Sequence, residues 1–507
     1  MSVVFDVAII GGGINGSGCA ADAALRGLSV VLLEQDDLAS KTSSSSTKLI
    51  HGGLRYLEHY EFNLVKKALI ERQRLLDLAP HLVHPQALVL PYEHHMRPSW
   101  FLRLGLFFYD HLSRKNRLPK CKTIHRESKG GYFDPLINEL NKGFLFYDAI
   151  TDDARLTIIN AIQAKNHGAS IRTHSAVIHT EVVNNLWQLT IEPKIGSTYV
   201  LHARSIVNAA GPWVKSVEHL TQTPDQQKIS LIKGSHIIVP QIYEGHHAYF
   251  LQHEDKRVIF VIPYHGFSMI GTTDIPLPGN PDHVTIGHEE IHYLINLVNF
   301  YFKSKLSEKD IIYTWSGVRA LLADENKEAK SLSRNYSYKV SFKPAPIITI
   351  YGGKITTYRQ LAEEIINQLI PIFPDMRQSV TATTPLPGAS FDQMNFAQYV
   401  MYAKEKYKWM DPDLLNRYLY TYGSCMEKFL APCSNMECLG KKYCTYLYQV
   451  EVDYLILEEW AQSCDDILKR RTKLELVIDA KGRENLAEYL SKITLFHHPA
   501  EAPLVWH

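Results

Sequence analysis

The chain has 507 residues, a formal net charge of +1, 45% hydrophobic and 21% charged content. That length suits two or three domains of ordinary size. The near-neutral balance, with no long basic tail, excludes a general electrostatic pull toward nucleic acid. No apolar run reaches the ~20 residues that span a bilayer. The seven Cys form no Cys-x-x-Cys pair, and the spacing of Cys433, Cys438 and Cys444 is not that of a zinc knuckle, so free thiols, no metal and a reducing compartment are expected. The N-terminus shows no charged region, apolar core or cleavage site of a signal peptide, which predicts a cytoplasmic protein.

In chain order, the apolar run Val7-Ala-Ile-Ile leads into Gly11, Gly13 and Gly16 in G-x-G-x-x-G order. The pattern predicts a strand, a helix over 17–27 and a second strand over 29–33 that ends on Glu34. Gly11 permits the tight turn, Gly13 lets the backbone approach a pyrophosphate, and Gly16 lets helix and strand pack closely. The helix N-terminus offers N–H groups and a positive dipole end to phosphates. The Glu34 carboxylate can accept from a ribose. These residues predict a dinucleotide site without choosing between NAD and FAD.

Residues 36–60 read as a loop holding the Ser/Thr run 42–47, and 61–79 carries apolar residues at helical spacing. The stretch 97–110 is aromatic and apolar, and Arg114, Lys115, Arg117, Lys120 and Lys122 follow it. It reads equally as an interfacial membrane contact or as a helix buried between domains. A helix is expected over 152–168, a strand over 171–179, a hairpin from 187–191 and 199–201, and a buried strand over 205–211. Residues 229–275 run β-rich, 347–351 is a strand, and Gly352-Gly353-Lys354 is expected to open a helix through about 369. Beyond residue 385, Tyr, Leu, Lys and Glu fall at helical spacing.

The fold class is therefore α/β, α+β overall: a Rossmann-like dinucleotide domain with an inserted β-rich domain and a C-terminal helical domain. The expected bounds are 1–75, 150–215 and 345–375 for the first, 76–149 and 216–344 for the second, and 385–507 for the third. The early β-α-β unit and the strands at 205–211 and 347–351 should share one parallel sheet.

Several segments together resemble the FAD-dependent glycerol-3-phosphate dehydrogenases of the bacterial aerobic, respiratory type, within the glycine oxidase/D-amino acid oxidase fold group. They are Ile9-Ile-Gly-Gly-Gly-Ile-Asn-Gly16, the run 46–60, Asp152-Asp-Ala-Arg155, Asn208-Ala-Ala-Gly-Pro-Trp-Val-Lys215 and Leu231-Ile-Lys-Gly-Ser-His236. Gly271-Thr-Thr-Asp274, Trp315-Ser-Gly-Val-Arg319 and Tyr351-Gly-Gly-Lys-Ile-Thr-Thr-Tyr-Arg359 continue the likeness, and Thr421-Tyr-Gly-Ser424 and Arg470-Arg-Thr-Lys473 carry it into the helical tail. No Asp-x-Asp-x-Asp-Gly loop follows at the C-terminus, so calcium control is not expected.

The resemblance implies FAD as cofactor, sn-glycerol 3-phosphate as substrate, quinone as acceptor and peripheral contact with the cytoplasmic membrane. An O2-using oxidase and an amine or amino-acid oxidase are the rival activities. A homodimer is entertained, although no residue pattern bears on oligomeric state. A phosphorylated polyol needs fixed cations for its dianion and a base for its hydroxyl proton. Arg55, Arg319 and Lys354 are the candidate cations, with Tyr56 and Thr273 as hydroxyl donors and Asp274 as a structural partner. His236 and His51 are the candidate bases, with Arg319 beside them in the catalytic set. Gly11, Gly13, Asn15, Gly16, Glu34, Thr42, Ser43, Ser46, Val177, Gly211, Gly353, Lys354 and Thr356 are the expected FAD contacts.

Overall fold

The computed structural model describes residues 3–59, 61–113, 116–223, 227–255, 257–322 and 336–496. Its first large sheet has eight strands. The strand Val4–Ile10 pairs in parallel with Val30–Leu33 on one side and Tyr199–Asn208 on the other. Ile347–Tyr351 and Ser170–Arg172 extend this parallel core at its two ends. Such a sheet is buried on both faces, which is why Val7, Ala8, Ile9, Val30, Val31 and Leu32 are all apolar and inaccessible. The expected convergence of the early unit with the strands near 205 and 347 is therefore observed.

Three local readings change. The pieces at 199–201 and 205–211 are one strand, Tyr199–Asn208, which continues through the polar residues His202 and Arg204. The expected strand over 171–179 is two, Ser170–Arg172 and Ser175–Val183, because His174 turns the chain at φ 51°. The helix expected from Gly352 begins later: Gly352 and Gly353 have φ of 77° and 116°, a 3-10 turn covers Ile355–Thr357, and the α-helix is Tyr358–Asn367.

The second large sheet has ten strands. Its long strand Ile229–Pro240 lies antiparallel to Tyr313–Leu322, pairing His236 with Trp315 and Ile232 with Arg319. Leu49–Ile50 and Lys142–Ile150 also belong to this sheet, so the chain crosses from one sheet to the other within the Ser/Thr loop. Ser337–Ser341 pairs back onto the first sheet.

From Phe396–Lys406 onward the chain is mainly helical, with a small hairpin of Lys442–Cys444 and Leu447–Tyr448. Its core is rich in tyrosine, including Tyr399, Tyr418, Tyr422 and Tyr454. Arg155, at the start of the helix Asp153–Asn166, forms a buried bidentate pair with Glu459 of this part.

The stretch at 97–110 is not buried between domains. Its helix, Ser99–His111, sinks Leu106 and Tyr109 into the core and turns Trp100, Leu104, Phe107 and Phe108 outward, with Trp100 68% exposed. Arg114 and Lys115 lie outside the described residues. No helix among the described residues is long and apolar enough to cross a membrane.

Removing one partner of a buried pair strands the other charge, at a cost of about 3–5 kcal/mol. Arg155→Met should therefore lower the unfolding free energy, read from urea denaturation, by that order, and the double variant Arg155→Met/Glu459→Met should recover much of the loss. A double variant as unstable as the single would count against charge stranding.

Candidate active site

A cavity of about 890 Å³ opens where the parallel strands end. Loops following strand C-termini build ligand crevices in open α/β sheets. Gly11, Gly13, Asn15, Glu34, Thr42, Ser43, Ser46, Val177, Gly211, Gly353, Lys354 and Thr356 all line it. So do His51, Tyr56 and Arg319, with Phe250 and Phe260 forming an aromatic wall.

At one end, close backbone approach dictates the glycines. Gly11 has φ 115°, and a Cβ there would come 2.7 Å from the Ala209 carbonyl oxygen. A Cβ on Gly16, which stands behind the cavity wall, would meet the Gly11 carbonyl oxygen at 1.9 Å. The Glu34 carboxylate accepts from Gly12 N at 2.6 Å and from Asp36 N at 2.8 Å, so it orders the turn it faces. Burial raises its pKa above the ordinary carboxylate value. Ser43 Oγ accepts from Ile14 N at the start of the helix Ile14–Leu25. Thr42 Oγ donates to the Val318 carbonyl, which ties the loop to the second sheet.

The cavity residues fit FAD. Gly11 and Gly13 bring bare backbone to the cavity wall, and Gly13, the N-cap of the helix Ile14–Leu25, has no side chain to occupy that space. Asn15 Nδ2 donates to the Gly352 carbonyl while its buried Oδ1 has no protein partner. A buried unpaired acceptor needs a ligand or water donor.

Elsewhere in the cavity wall, Arg319 pairs with Asp274 at 2.9 Å and reaches Thr272 Oγ1 at 3.4 Å. Gly234 makes room for it, since a Cβ there would sit 3.1 Å from Arg319 Nη2. Lys354 Nζ lies 4.1 Å from the centre of the Tyr56 ring. His51 N donates to Thr356 Oγ1 at 3.3 Å. The neighbouring Gly52 N donates to Tyr109 Oη, which itself donates to the buried carboxylate of Asp148. The backbone of Arg55 lies in the 3-10 turn Leu54–His59, and its side chain is outside the described residues.

Three expected site residues stand differently. His236 does not line the cavity. It is fully buried, stacks on Trp315, and has Nε2 3.0 Å from Oγ of Thr47, the residue that faces the cavity. Burial foremost, then the charges of Lys48 and Arg319, push its pKa down to about 3. Thr273 is buried as well, donating to Glu290 at 2.6 Å and accepting from Ser235 N, so its hydroxyl is committed within the protein. Ser46 lines the cavity, but its N–H and O–H both donate to Asp153.

Asp153 and Lys48 themselves went unassigned in the sequence. They form a buried pair at 2.8 Å that holds the Ser/Thr loop from below. Nearby positive charge, mainly from Lys48, keeps the Asp153 carboxyl below its ordinary value despite burial. Neither segment marks them out, since Lys48 follows the Ser/Thr run 42–47 and Asp153 stands beside Asp152 with Arg155 two residues on.

The family described as FAD dependent oxidoreductase matches residues 6–359, and that described as the C-terminal domain of alpha-glycerophosphate oxidase matches 379–493. A glycerol-3-phosphate dehydrogenase of Pseudomonas aeruginosa is 46% identical over 97% of this chain and 96% of its own. The chain belongs to the FAD-dependent glycerol-3-phosphate dehydrogenase family. FAD is the family's cofactor and this enzyme's. A solved glycerol-3-phosphate dehydrogenase from Bacillus halodurans, complexed with FAD, superposes with a TM-score of 0.73 at 25% identity, covering 97% of this chain and 90% of that one. Another relative in this family, from Brucella abortus, is named D-erythritol 1-phosphate dehydrogenase and is 43% identical over 97% of this chain and 98% of its own.

His236 titrates near pH 3 when folded and near 6.5 when unfolded. Its burial thus contributes stability that is full above pH 6.5 and is lost as pH falls toward 3. Replacing it with Gln should flatten the stability-versus-pH curve between pH 4 and 6, relative to the parent, by about 1.4 kcal/mol per pH unit. Parallel curves would show that the imidazole is charged in the folded protein.

Proposed function

We propose that the enzyme oxidises sn-glycerol 3-phosphate to dihydroxyacetone phosphate and passes the electrons to membrane quinone. The observation that carries this reading is that His51, Tyr56, Arg319 and Lys354 line the same cavity as the dinucleotide turn. FAD, when bound, supplies the acceptor for the hydride that leaves C2 of the substrate. Arg319, Lys354 and Arg55 would hold the phosphate dianion, the arginines through planar paired donors and the lysine as a point charge. His51 would take the C2 hydroxyl proton, since it lines the cavity and His236 does not. Thr47 would carry the influence of the neutral His236 ring to the cavity surface. Gly11, Gly13, Gly16, Glu34 and Val177 would serve the dinucleotide half, and Gly353 and Thr356 the flavin half. Residues 1–75, 150–215 and 345–375 are assigned to FAD, apart from Leu49–Ile50 on the second sheet, and 76–149 and 216–344 to the substrate, apart from Ser337–Ser341 on the first; of 385–507, the described residues through 496 form the helical part.

The outward aromatic face of Ser99–His111 supports peripheral contact with the cytoplasmic membrane, where quinone resides. Arg103, Arg117, Lys120 and Lys122 are exposed beside it, the flanking charge that anionic lipid attracts.

Anaerobic mixing with sn-glycerol 3-phosphate should bleach the oxidised-flavin absorbance, and a quinone analogue should restore it. Restoration by O2 at the turnover rate would favour an oxidase. The likeness to the Brucella protein supports a second reading, and faster bleaching by D-erythritol 1-phosphate would select it. Bleaching by glycine or sarcosine alone would sink both.

Arg319→Met should lower kcat/KM for the phosphorylated substrate by roughly two to three orders of magnitude, by loss of a charged partner in the cavity. A change below threefold would remove Arg319 from the substrate.

Trp100→Ser/Phe107→Ser should weaken binding to anionic vesicles at least tenfold, by loss of buried apolar area, with kcat/KM for a soluble acceptor unchanged. Retained vesicle binding would move the contact elsewhere.

A further inference from the structure

The helical part meets the cofactor-binding loops through charge. Asp37, three residues beyond Glu34, is buried, and its carboxylate accepts from Arg471 Nη2 at 2.8 Å, from Arg471 Nη1, and from Arg470 Nε at 2.5 Å. Both arginines belong to the π-helical turn Asp466–Arg471, and Arg471 is itself inaccessible. Arg471 Nη2 also donates to the Glu459 carbonyl, and Arg470 reaches Asp466. His174 Nε2 lies 3.8 Å from Asp466. Through the backbone, His174 N donates to the Asp36 carbonyl at 2.7 Å and Ser175 N to that of Glu34 at 2.8 Å.

The π-helical turn therefore grips two loops at once, and those loops present Glu34, Gln35, Ser175 and Val177 to the cavity. Asp37, His174 and Asp466 come close enough to suggest a cation site, with ligand atoms within 4.8 Å of one another. Two guanidiniums already answer those carboxylates, so the trio is a socket for arginine. A second anchorage lies further along the same segment. Lys473 Nζ is 3.4 Å from Asp152, whose neighbour Asp153 holds Ser46 and Lys48.

We propose that Arg470 and Arg471 are positioning residues for FAD: by fixing Asp37 they set the loop that carries Glu34. Charged side chains are an expensive way to glue two parts together, because well-packed apolar residues of similar volume often stabilise as well. What a bidentate guanidinium–carboxylate pair adds is direction, since its paired donors fix both distance and angle. The proposal rests on reading the Glu34 end of the cavity as the adenosine end.

The test uses the full-length holoenzyme. FAD affinity is read from flavin fluorescence released on dilution, and cofactor geometry from visible circular dichroism of the bound flavin. Arg471→Met should raise the FAD dissociation constant about tenfold or more and alter the dichroism, a coupling of ordinary size between linked sites. Arg471→Lys should recover part of the affinity. Arg470→Met, at a less buried position, gives the same reading if Arg471→Met does not fold. Arg417→Met cuts a different buried pair, with Glu451, and should lower the melting temperature while leaving FAD affinity within about twofold. Parental affinity and dichroism in both arginine variants would overturn the proposal, as would an Arg417→Met loss as large as theirs. Glu34→Gln separates the two readings. If it leaves FAD affinity unchanged, the adenosine-end assignment fails. If it weakens FAD while the arginine variants do not, the brace alone fails.

Discussion

The site depends on how Asp153 holds the Ser/Thr loop. Its carboxylate accepts from Ser46 N, Ser46 Oγ, Lys48 Nζ and Ala154 N, and Asp153, Lys48 and Ala154 are out of water. This loop is where the chain leaves the first sheet for the second, and it lines the cavity between them. Its ordering cost is offset by hydrogen bonds to a charged acceptor, which are stronger than neutral ones. With Asp153 removed, Lys48 would be a lone buried cation beneath Trp315, 5.1 Å from its ring. The loop would then have little reason to stay closed.

Electrostatics around the cavity follows the same logic at each position. Charges that face the interior are paired: Arg319 with Asp274, Lys48 with Asp153, Arg155 with Glu459. His236 responds to burial by becoming neutral. A neutral ring stacked on Trp315 behaves as an aromatic packing unit with one polar edge toward Thr47. The glycine at 271 follows from this, because a Cβ there would fall 2.2 Å from the His236 ring.

Much of the dinucleotide half was legible because its constraints are local. Gly11, Gly13, Gly16 and Glu34 stand at fixed offsets within one β-α-β unit, and each offset has a steric or hydrogen-bonding reason. The strand Tyr199–Asn208 was harder to see whole. Its outer half pairs with Leu186–Pro193 and so tolerates His202 and Arg204, which broke the apolar pattern. Of the two histidines expected in the site, His51 lines the cavity and His236 does not. Which of two histidines reaches a cavity is settled by the register of Ile229–Pro240 against Phe267–Gly271, a long-range fact absent from either segment alone. Lys48 and Asp153 went unassigned for the same reason, being 105 residues apart in sequence. The outward face of Ser99–His111 was undecidable until Leu106 and Tyr109 were seen to be its buried residues.

Arg319 stands on the second sheet, whereas the dinucleotide turn stands on the first. On the reading proposed above, Arg319 on one layer and Lys354, which follows Ile347–Tyr351 on the other, would share the substrate, so the site spans two layers joined by loops and by paired charges. Reaction rates respond steeply to the alignment of reacting atoms, and an error of about 1 Å can cost a hundredfold. The mechanical tolerance of the enzyme is therefore set at the seam between layers, by the stiffness of Thr42 on Val318 and of the Asp153 contacts, as much as by any group that touches the substrate.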